Sequence, residues 1–471
     1  MLSLSSSSST KSKMYAEPTT FCHVLALPYP RRGHINPMMN LCNSLTSKKP
    51  DIFITFVVTE EWLGFIGSEP NPNNVRFDTI PNVFTSELAS ETTNSGSFFQ
   101  EVSSKMEAPV DKLVDRLELP VTTIIADTYI NWAVDFGNRR NIPVASFWTM
   151  SASVYSVFHH FDLLVQNGHF PVNSKEQGNE VVDYIPGVSS TRIKDLATCI
   201  YGKGQEALHR AIETISLVSK AQYLLLTSVY ELDDKVIDAL KEEMSLPIYH
   251  IGPTIPYFKL ENSSSISPMD ISYAEWLDVQ PKGSVLYVSQ GSLHSSSNAQ
   301  LEEIAAGLRN SGVRYLWVAR KEATRFQEDC GDNGLVVPWC DQLRMLCHSS
   351  IGGFLSHCGW NSTSEAILAG IPMLTFPLYW DQVPDAKVIV EDWKIGWRAK
   401  NNEIGEENLV TREEIADIVR RFMDFENEDV KDMRRRVRDL REICLAAIQK
   451  GGSSDTDLDA FITDISQCHH I

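Results

Sequence analysis

Residues 339–382 read WCDQLRMLCHSSIGGFLSHCGWNSTSEAILAGIPMLTFPLYWDQ. Inside this stretch the apolar run Gly352–Ser356 predicts a short buried strand, and Ser362–Ala369 carries the composition of a helix. His357-Cys358-Gly359 lies between them as a tight turn, and Met373–Phe376 predicts the next strand. Strand, turn, helix and strand in that order make one unit of a parallel α/β sheet. Such a turn places backbone N–H groups and the positive end of a helix at the carboxyl edge of the sheet, where phosphate binds. His357, Asn361 and Ser362 would add side-chain donors. A plain helix start fits the same residues, because Ser362 and Glu365 have the spacing of a capping box.

The same alternation runs outward in both directions. Upstream, strands are predicted at His23–Leu27, Ile52–Val58, Val75–Thr79, Thr123–Ala126, Val144–Phe147 and Tyr223–Leu226, with helices such as Pro37–Ser47 and Asn131–Arg140 among them. Ser284–Ser289, Arg314–Val318 and Leu335–Val337 are further strands, and Asn298–Asn310 and Val383–Glu391 further helices. Between them Pro253, Pro256 and the serine-rich stretch Asn262–Ser267 read as a linker. The chain of 471 residues exceeds one ordinary core. The expectation is α/β: two Rossmann-like domains facing a cleft, at 20–252 and 273–450, joined by a linker at 253–272. Residues 1–19 read as a disordered leader. Thr411 and Glu414 mark a helix start, Gly451-Gly452 breaks the long helical stretch, and 451–471 is expected to pack back toward the first domain.

Acidic residues outnumber basic ones 61 to 42, a net charge of −19. That field disfavours nucleic acids and anionic membranes as partners, while leaving room for a small phosphate ligand held by local donors. No apolar run reaches the length of a membrane span, and the leader lacks the apolar core of a secretory signal. The nine cysteines show no metal spacing and are odd in number, which fits reduced thiols in a cytoplasmic protein.

The first predicted strand runs into Tyr29-Pro30-Arg31-Arg32-Gly33-His34-Ile35-Asn36-Pro37, with Pro37 expected in the first turn of the following helix. His34 then lies on a loop at a sheet's carboxyl edge, a position suited to a general base. A lone histidine there is more often a surface or capping residue. Asp127, after the strand Thr123–Ala126, opens toward the same edge and could orient the imidazole, or serve a turn.

Together these residues resemble the plant family 1 UDP-dependent glycosyltransferases. The signature comprises Trp339, Gln342, His348, Gly352, Phe354, His357 to Ser362, Glu365, Gly370, Pro372, Pro377, Asp381 and Gln382, and the Gly-His-Ile-Asn-Pro loop belongs to it too. The resemblance implies the inverting, two-domain GT-B type. It also implies roles. Trp339 would stack on uracil and Gln342 would lie near uracil and ribose. Glu365 would accept the ribose hydroxyls. His357, Asn361, Ser362 and Ser292 would hold the diphosphate, and Asp381 and Gln382 would read the sugar. Trp360 and Gln382 go with UDP-glucose as donor. His34 and Asp127 would be the catalytic pair, with no metal and no bound cofactor. Gln290 stands where the family commonly has Phe, and Trp380 where a small residue is usual. Both departures resemble the family-87 branch.

The first domain would hold a small lipophilic acceptor such as a phenolic, flavonoid, terpenoid or hormone, attacked through a hydroxyl or a carboxyl group. Phe84, Tyr129, Trp148 and Trp380 are its candidate contacts, although burial in the core is the commoner fate of such residues. A monomer is expected. A dinucleotide oxidoreductase is disfavoured, because no GxGxxG follows the first strand. A non-catalytic nucleotide-sugar binder would share the fold but has no use for both His34 and Asp127.

Overall fold

The computed structural model describes residues 22–66, 74–82, 95–202, 205–256, 268–291, 296–405 and 409–467. The leader, Phe84, Ser292 and residues 257–267 of the expected linker lie outside them.

Fifteen strands are described: β1 (Cys22–Leu27), β2 (Ile52–Thr59), β3 (Val75–Ile80), β4 (Thr123–Asp127), β5 (Val144–Trp148), β6 (Val181–Val182), β7 (Thr191–Arg192), β8 (Tyr223–Leu226), β9 (Ile248–His250), β10 (Val285–Ser289), β11 (Arg314–Val318), β12 (Gly334–Val337), β13 (Ile351–Ser356), β14 (Met373–Thr375) and β15 (Gly396–Arg398). A seven-stranded parallel sheet has the order β3-β2-β1-β4-β5-β8-β9, and a six-stranded parallel sheet the order β12-β11-β10-β13-β14-β15. β6 and β7 form a small antiparallel pair. Helices cover both faces of each large sheet, so each sheet has a core on either side. This is why the central strands read as unbroken apolar runs: β1 and β13 are buried at every residue.

Strand order reverses once in each sheet, between β1 and β4 in the first and between β10 and β13 in the second. The crevice at such a reversal, beyond the carboxyl ends of the strands, is where open α/β sheets bind ligands. Both candidate loops lie there. His34 follows β1 and Asp127 ends β4, while Gln290-Gly291 follows β10 and His357 follows β13.

Two helix starts differ from expectation. The helix after β1 spans Arg32–Lys48, so His34 occupies its first turn rather than a loop, and Pro37 is inside the helix. Proline has no N–H to give the carbonyl four residues earlier, which leaves the Gly33 oxygen without its helical donor. The helix after β13 begins at Trp360 with Gly359 as N-cap and no side-chain cap bond, so Ser362 and Glu365 do not form a capping box. The capping box at Thr411 and Glu414 does form.

The final helix, Ser453–Gln467, crosses to the first sheet. Phe461 packs edge-on to Tyr223 with centroids 5.7 Å apart, Asp457 accepts from the His250 amide at 2.9 Å, and Lys48 pairs with Asp459 at 2.7 Å. Residues far apart in the chain thus complete the first domain's outer layer.

Candidate active site

The parallel pairing of β1 with β4 sets Leu27 beside Ala126, so the next residue of β4, Asp127, projects at the edge from which the His34 helix starts. The His34 Nδ1 lies 2.7 Å from the Asp127 Oδ2. Asp127 is buried, and its other oxygen accepts from the Tyr129 amide at 2.9 Å. A carboxylate accepts only, so the hydrogen of this pair belongs to Nδ1 and the Nε2 lone pair is left as the basic site. Thr149, directly after β5, places its hydroxyl 3.0 Å from the same Nδ1. Sequence reading overlooked Thr149, although its place at the end of a neighbouring strand was a usable signal.

Around His34 stand the rings of Tyr29 at 5.1 Å and Tyr129 at 6.1 Å, and Phe98 lies 5.6 Å from Tyr29. Tyr29, Phe98 and Phe99 were not among the expected contacts, and only the fold brings the helix Ser95–Lys105 to this edge. Tyr129 is buried beside His34, with its hydroxyl enclosed on the side of Trp380. Trp148 requires a correction. It is fully buried, its indole N–H donates to the Ser151 carbonyl at 2.9 Å, and it stacks beneath Tyr129 at 5.8 Å. Its contribution is to the core under the site, not to a contact with an acceptor.

The second domain presents the other wall. Trp339 is 48% exposed, unusual for an indole and suited to stacking on a flat ligand. Gln342 begins the helix Gln342–Leu346 and donates through Nε2 to the Ser362 hydroxyl at 2.8 Å and to the Glu365 Oε2 at 2.6 Å, while its Oε1 accepts from Tyr287 at 3.3 Å. Burial pushes the Glu365 carboxyl up to about 7. The turn after β13 is made by Cys358 at φ 67°, not by a glycine, and the Cys358 amide donates to Ser356 Oγ at 3.0 Å. His357 is wedged against Gly291 and Gly359, where a side chain at either glycine would collide with its ring. Burial, with the charge of Arg320, lowers the His357 pKa to about 4, so it is a neutral donor. Its Nδ1 and the Trp360 indole nitrogen are both buried without a partner, which suits groups awaiting a ligand.

Asn361 is expected at a diphosphate, yet its Nδ2 donates to the Gly33 carbonyl at 2.8 Å. This is the oxygen that Pro37 left without a donor, so the amide bridges the two domains. Trp380 takes a left-handed φ of 59° and is held by the first domain: its amide donates to the Thr198 hydroxyl at 2.8 Å, and its ring lies 6.2 Å from Phe158. Asp381 follows as N-cap of the helix Gln382–Lys387, without a side-chain cap bond. Burial pushes its carboxyl up, and nearby His34 acts in the opposite sense. Gln382 turns its Oε1 back onto the Leu378 and Tyr379 amides at 2.9 and 3.3 Å, bracing the loop that carries Trp380 and Asp381. Asp385 accepts from the Ser151 hydroxyl at 3.0 Å, a further polar contact across the junction. His34 of one sheet and the segment Trp339–Gln382 of the other therefore meet at the junction of the two domains.

A fold and cleft of this kind define a transferase of the GT-B type. Residues 206–416 match the model of the UDP-glucuronosyl and UDP-glucosyl transferase family. The chain belongs to the plant family 1 UDP-glycosyltransferases, in the family-87 branch. It is 50% identical over 446 residues to UDP-glycosyltransferase 87A1 of Arabidopsis thaliana, covering 94% of this chain and 100% of that one. With UDP-glycosyltransferase 87A2 of the same plant it shares 49% over 454 residues, or 95% and 98% of the two chains. Among solved structures, Phytolacca americana UGT2 complexed with UDP-2-fluoro-glucose and pterostilbene aligns with a TM-score of 0.78 and 26% identity, covering 95% of this chain and 100% of that one. Os79 of O. sativa with a trichothecene gives 0.80 and 26%, over 94% and 100%. Among the described residues no helix is long and apolar enough to cross a membrane.

Proposed function

We propose that this protein transfers glucose from UDP-glucose to a hydroxyl of a small lipophilic plant metabolite, with inversion to a β-glucoside. The observation that carries the reading is the His34–Asp127 pair, set at the reversal of one sheet and near enough to Asp381, on the loop after β14 of the other, to act on its charge. In the reaction His34 Nε2 takes the proton of the acceptor hydroxyl, and Asp127 steadies the resulting imidazolium. The oxygen attacks the anomeric carbon from the face opposite UDP. The C–O bond to UDP breaks, and its charge falls on the phosphate held by helix-end amides, His357, Ser362 and Ser292. Asp381 and Gln382 read the sugar hydroxyls, and Trp360 offers its unpaired N–H on the same side. Fluorinated UDP-glucose in the Phytolacca complex supports a glucosyl donor by analogy. The reaction is proposed to run in the cytoplasm on a monomer and without a metal, so EDTA is expected to leave the rate unchanged.

Incubation with UDP-glucose and a panel of hydroxylated acceptors, read by mass spectrometry, should show a gain of one hexose, with a β anomeric coupling by NMR. Transfer from a different UDP-sugar alone would overturn glucose. No transfer from any donor would overturn the enzyme and leave a nucleotide-sugar binder.

Two donor-side effects follow. Trp339→Ala removes the exposed stacking face, worth about 1–3 kcal/mol for a base on an aromatic ring, so the KM for UDP-glucose should rise roughly 5- to 150-fold. A kcat loss with unchanged KM would contradict stacking. The second concerns pH. Glu365 accepts the ribose hydroxyls as a carboxylate, and its pKa of about 7 lies above the ordinary 4.5. The folded, empty site therefore holds this proton more tightly than the unfolded chain. This costs stability as pH rises from about 4.5 through about 7, and the cost is offset when donor hydroxyls arrive. Donor KM should fall between about pH 6 and pH 8, and UDP-glucose should raise the melting temperature more at the higher pH. Glu365→Gln should flatten both trends. A wild-type KM that does not move across that range would exclude the role.

A further inference from the structure

We propose that Arg31 is the anion-recognition residue of the acceptor pocket, and that the acceptors are hydroxy acids whose carboxylate it grips while their hydroxyl meets His34. The proposal rests on the transferase reading and narrows its substrate class.

Arg31 leaves β1 through a tight turn in which its amide donates to the Tyr29 carbonyl at 2.7 Å, and it becomes the N-cap of the helix that carries His34. Its guanidinium lies over the Phe98 ring with Cζ 3.9 Å from the centroid. Phe98 packs on Tyr29 at 5.6 Å, and Tyr29 packs on His34 at 5.1 Å, so the cation belongs to the cluster of rings around the base. The hydroxyl groups of Tyr29 and, from the opposite domain, Tyr379 are the ionisable groups that act on it, and burial lowers its pKa.

Among the described residues no carboxylate pairs with it. Several other guanidinium groups find acids: Arg140 with Asp111 and Asp115, Arg192 with Asp195 and Glu391, Arg398 with Asp195 and Glu391, Arg412 with Glu303. Arg434, stacked on Phe425 and bonded to the Gly352 carbonyl, shares with Arg31 a buried nitrogen without a partner but lies far from the His34 ring cluster in the chain. Among the described residues Arg31 forms no ion pair, and its Nη1 is buried with no hydrogen-bond partner. In a chain with 61 acidic and 42 basic residues, a largely enclosed cation with no acid beside it among the described residues runs against the composition. The Phe98 stack does not resolve this. A ring satisfies the face of a guanidinium, whereas its N–H donors lie in the plane and still need acceptors. A buried donor left unmet is costly, and a planar two-oxygen anion is its natural complement.

The reacting group is a hydroxyl, not the carboxylate. An ionised carboxylate carries no proton for His34 to remove, and the His34–Asp127 pair would then have no task. A carboxylate at Arg31 and a hydroxyl at His34 on one aromatic molecule would use both groups, with Tyr29, Phe98 and Tyr129 as apolar walls.

The test uses the full chain, UDP-glucose, and two acceptors that share one phenol, para-coumarate and its methyl ester. Wild type should favour the acid over the ester in kcat/KM by about tenfold or more, the value of one or two charge-assisted hydrogen bonds. Arg31→Gln should shrink that ratio by about tenfold or more, and Arg31→Lys should retain part of it. Melting curves confirm that both variants are folded. Tryptophan quenching in the presence of UDP gives the same acid-to-ester comparison for binding alone, so failure of the transferase reading remains distinguishable from failure of this one. A ratio near one in wild type, a ratio that Arg31→Gln leaves unchanged, or a coumarate product cleaved by mild alkali as an ester would each overturn it.

Discussion

Replacing His34 with alanine is expected to lower kcat roughly 10³-fold, within the range general base catalysis supplies, while UDP binds nearly as in wild type. The separation follows from the architecture. His34 rides on the helix after β1, whereas the residues assigned to the nucleotide, Trp339, Gln342 and Glu365, belong to the second sheet and its loops. The imidazole also bonds to groups of its own domain, Asp127 and Thr149, so removing it breaks no hydrogen bond across the domains. Calorimetry with UDP and initial rates on the same preparation provide the measurement. Equal loss of affinity and rate would move His34 from base to structural support.

Asp127→Asn carries the second large effect, on the order of 10³-fold in kcat with little change in donor KM. The substitution keeps shape and removes charge. The carboxylate oxygen 2.7 Å from Nδ1 demands a hydrogen on that nitrogen, which leaves Nε2 as base. An amide can present its NH2 to Nδ1 instead and turn the proton toward Nε2, where it blocks proton abstraction. It also offers no charge to the imidazolium. Asp127 is buried, and its second oxygen holds the Tyr129 amide, so folding should be checked by melting before rates are compared. An Asn variant that keeps more than about a tenth of the wild-type rate would show that orientation by Thr149 suffices.

Much of this was legible in the sequence because it is local. Gly352–Ser356 reads as a strand from its run of apolar residues, and the helix after it follows from composition and spacing. The pairing of Thr411 with Glu414 needs only three residues of separation, and it forms as read. Local spacing did not decide Ser362 and Glu365. Their spacing fits a capping box, but the helix starts two residues earlier with Gly359 as N-cap, and Gln342, brought in by the sheet packing, bonds to both side chains. Trp148 shows the same limit, since an aromatic at a strand end can face the cleft or the core and its own neighbours do not say which.

By itself the sequence determined the α/β class and the two parallel-sheet units, and it singled out the segment 339–382, His34 and Asp127 as candidates. Periodicity and short motifs are written in neighbouring residues. The tertiary structure decided which distant groups meet. Strand order set Asp127 beside His34 across 93 positions of chain and added Thr149 to the pair. Closure of the two domains gave the Gly33 carbonyl, stripped of its helical donor by Pro37, to Asn361 across 328 positions. The packing of the helix Ser95–Lys105 laid Phe98 under Arg31, whose Nη1 is buried with no partner among the described residues. Sheet order and domain closure depend on contacts summed over the whole chain, and no local stretch of residues carries that sum.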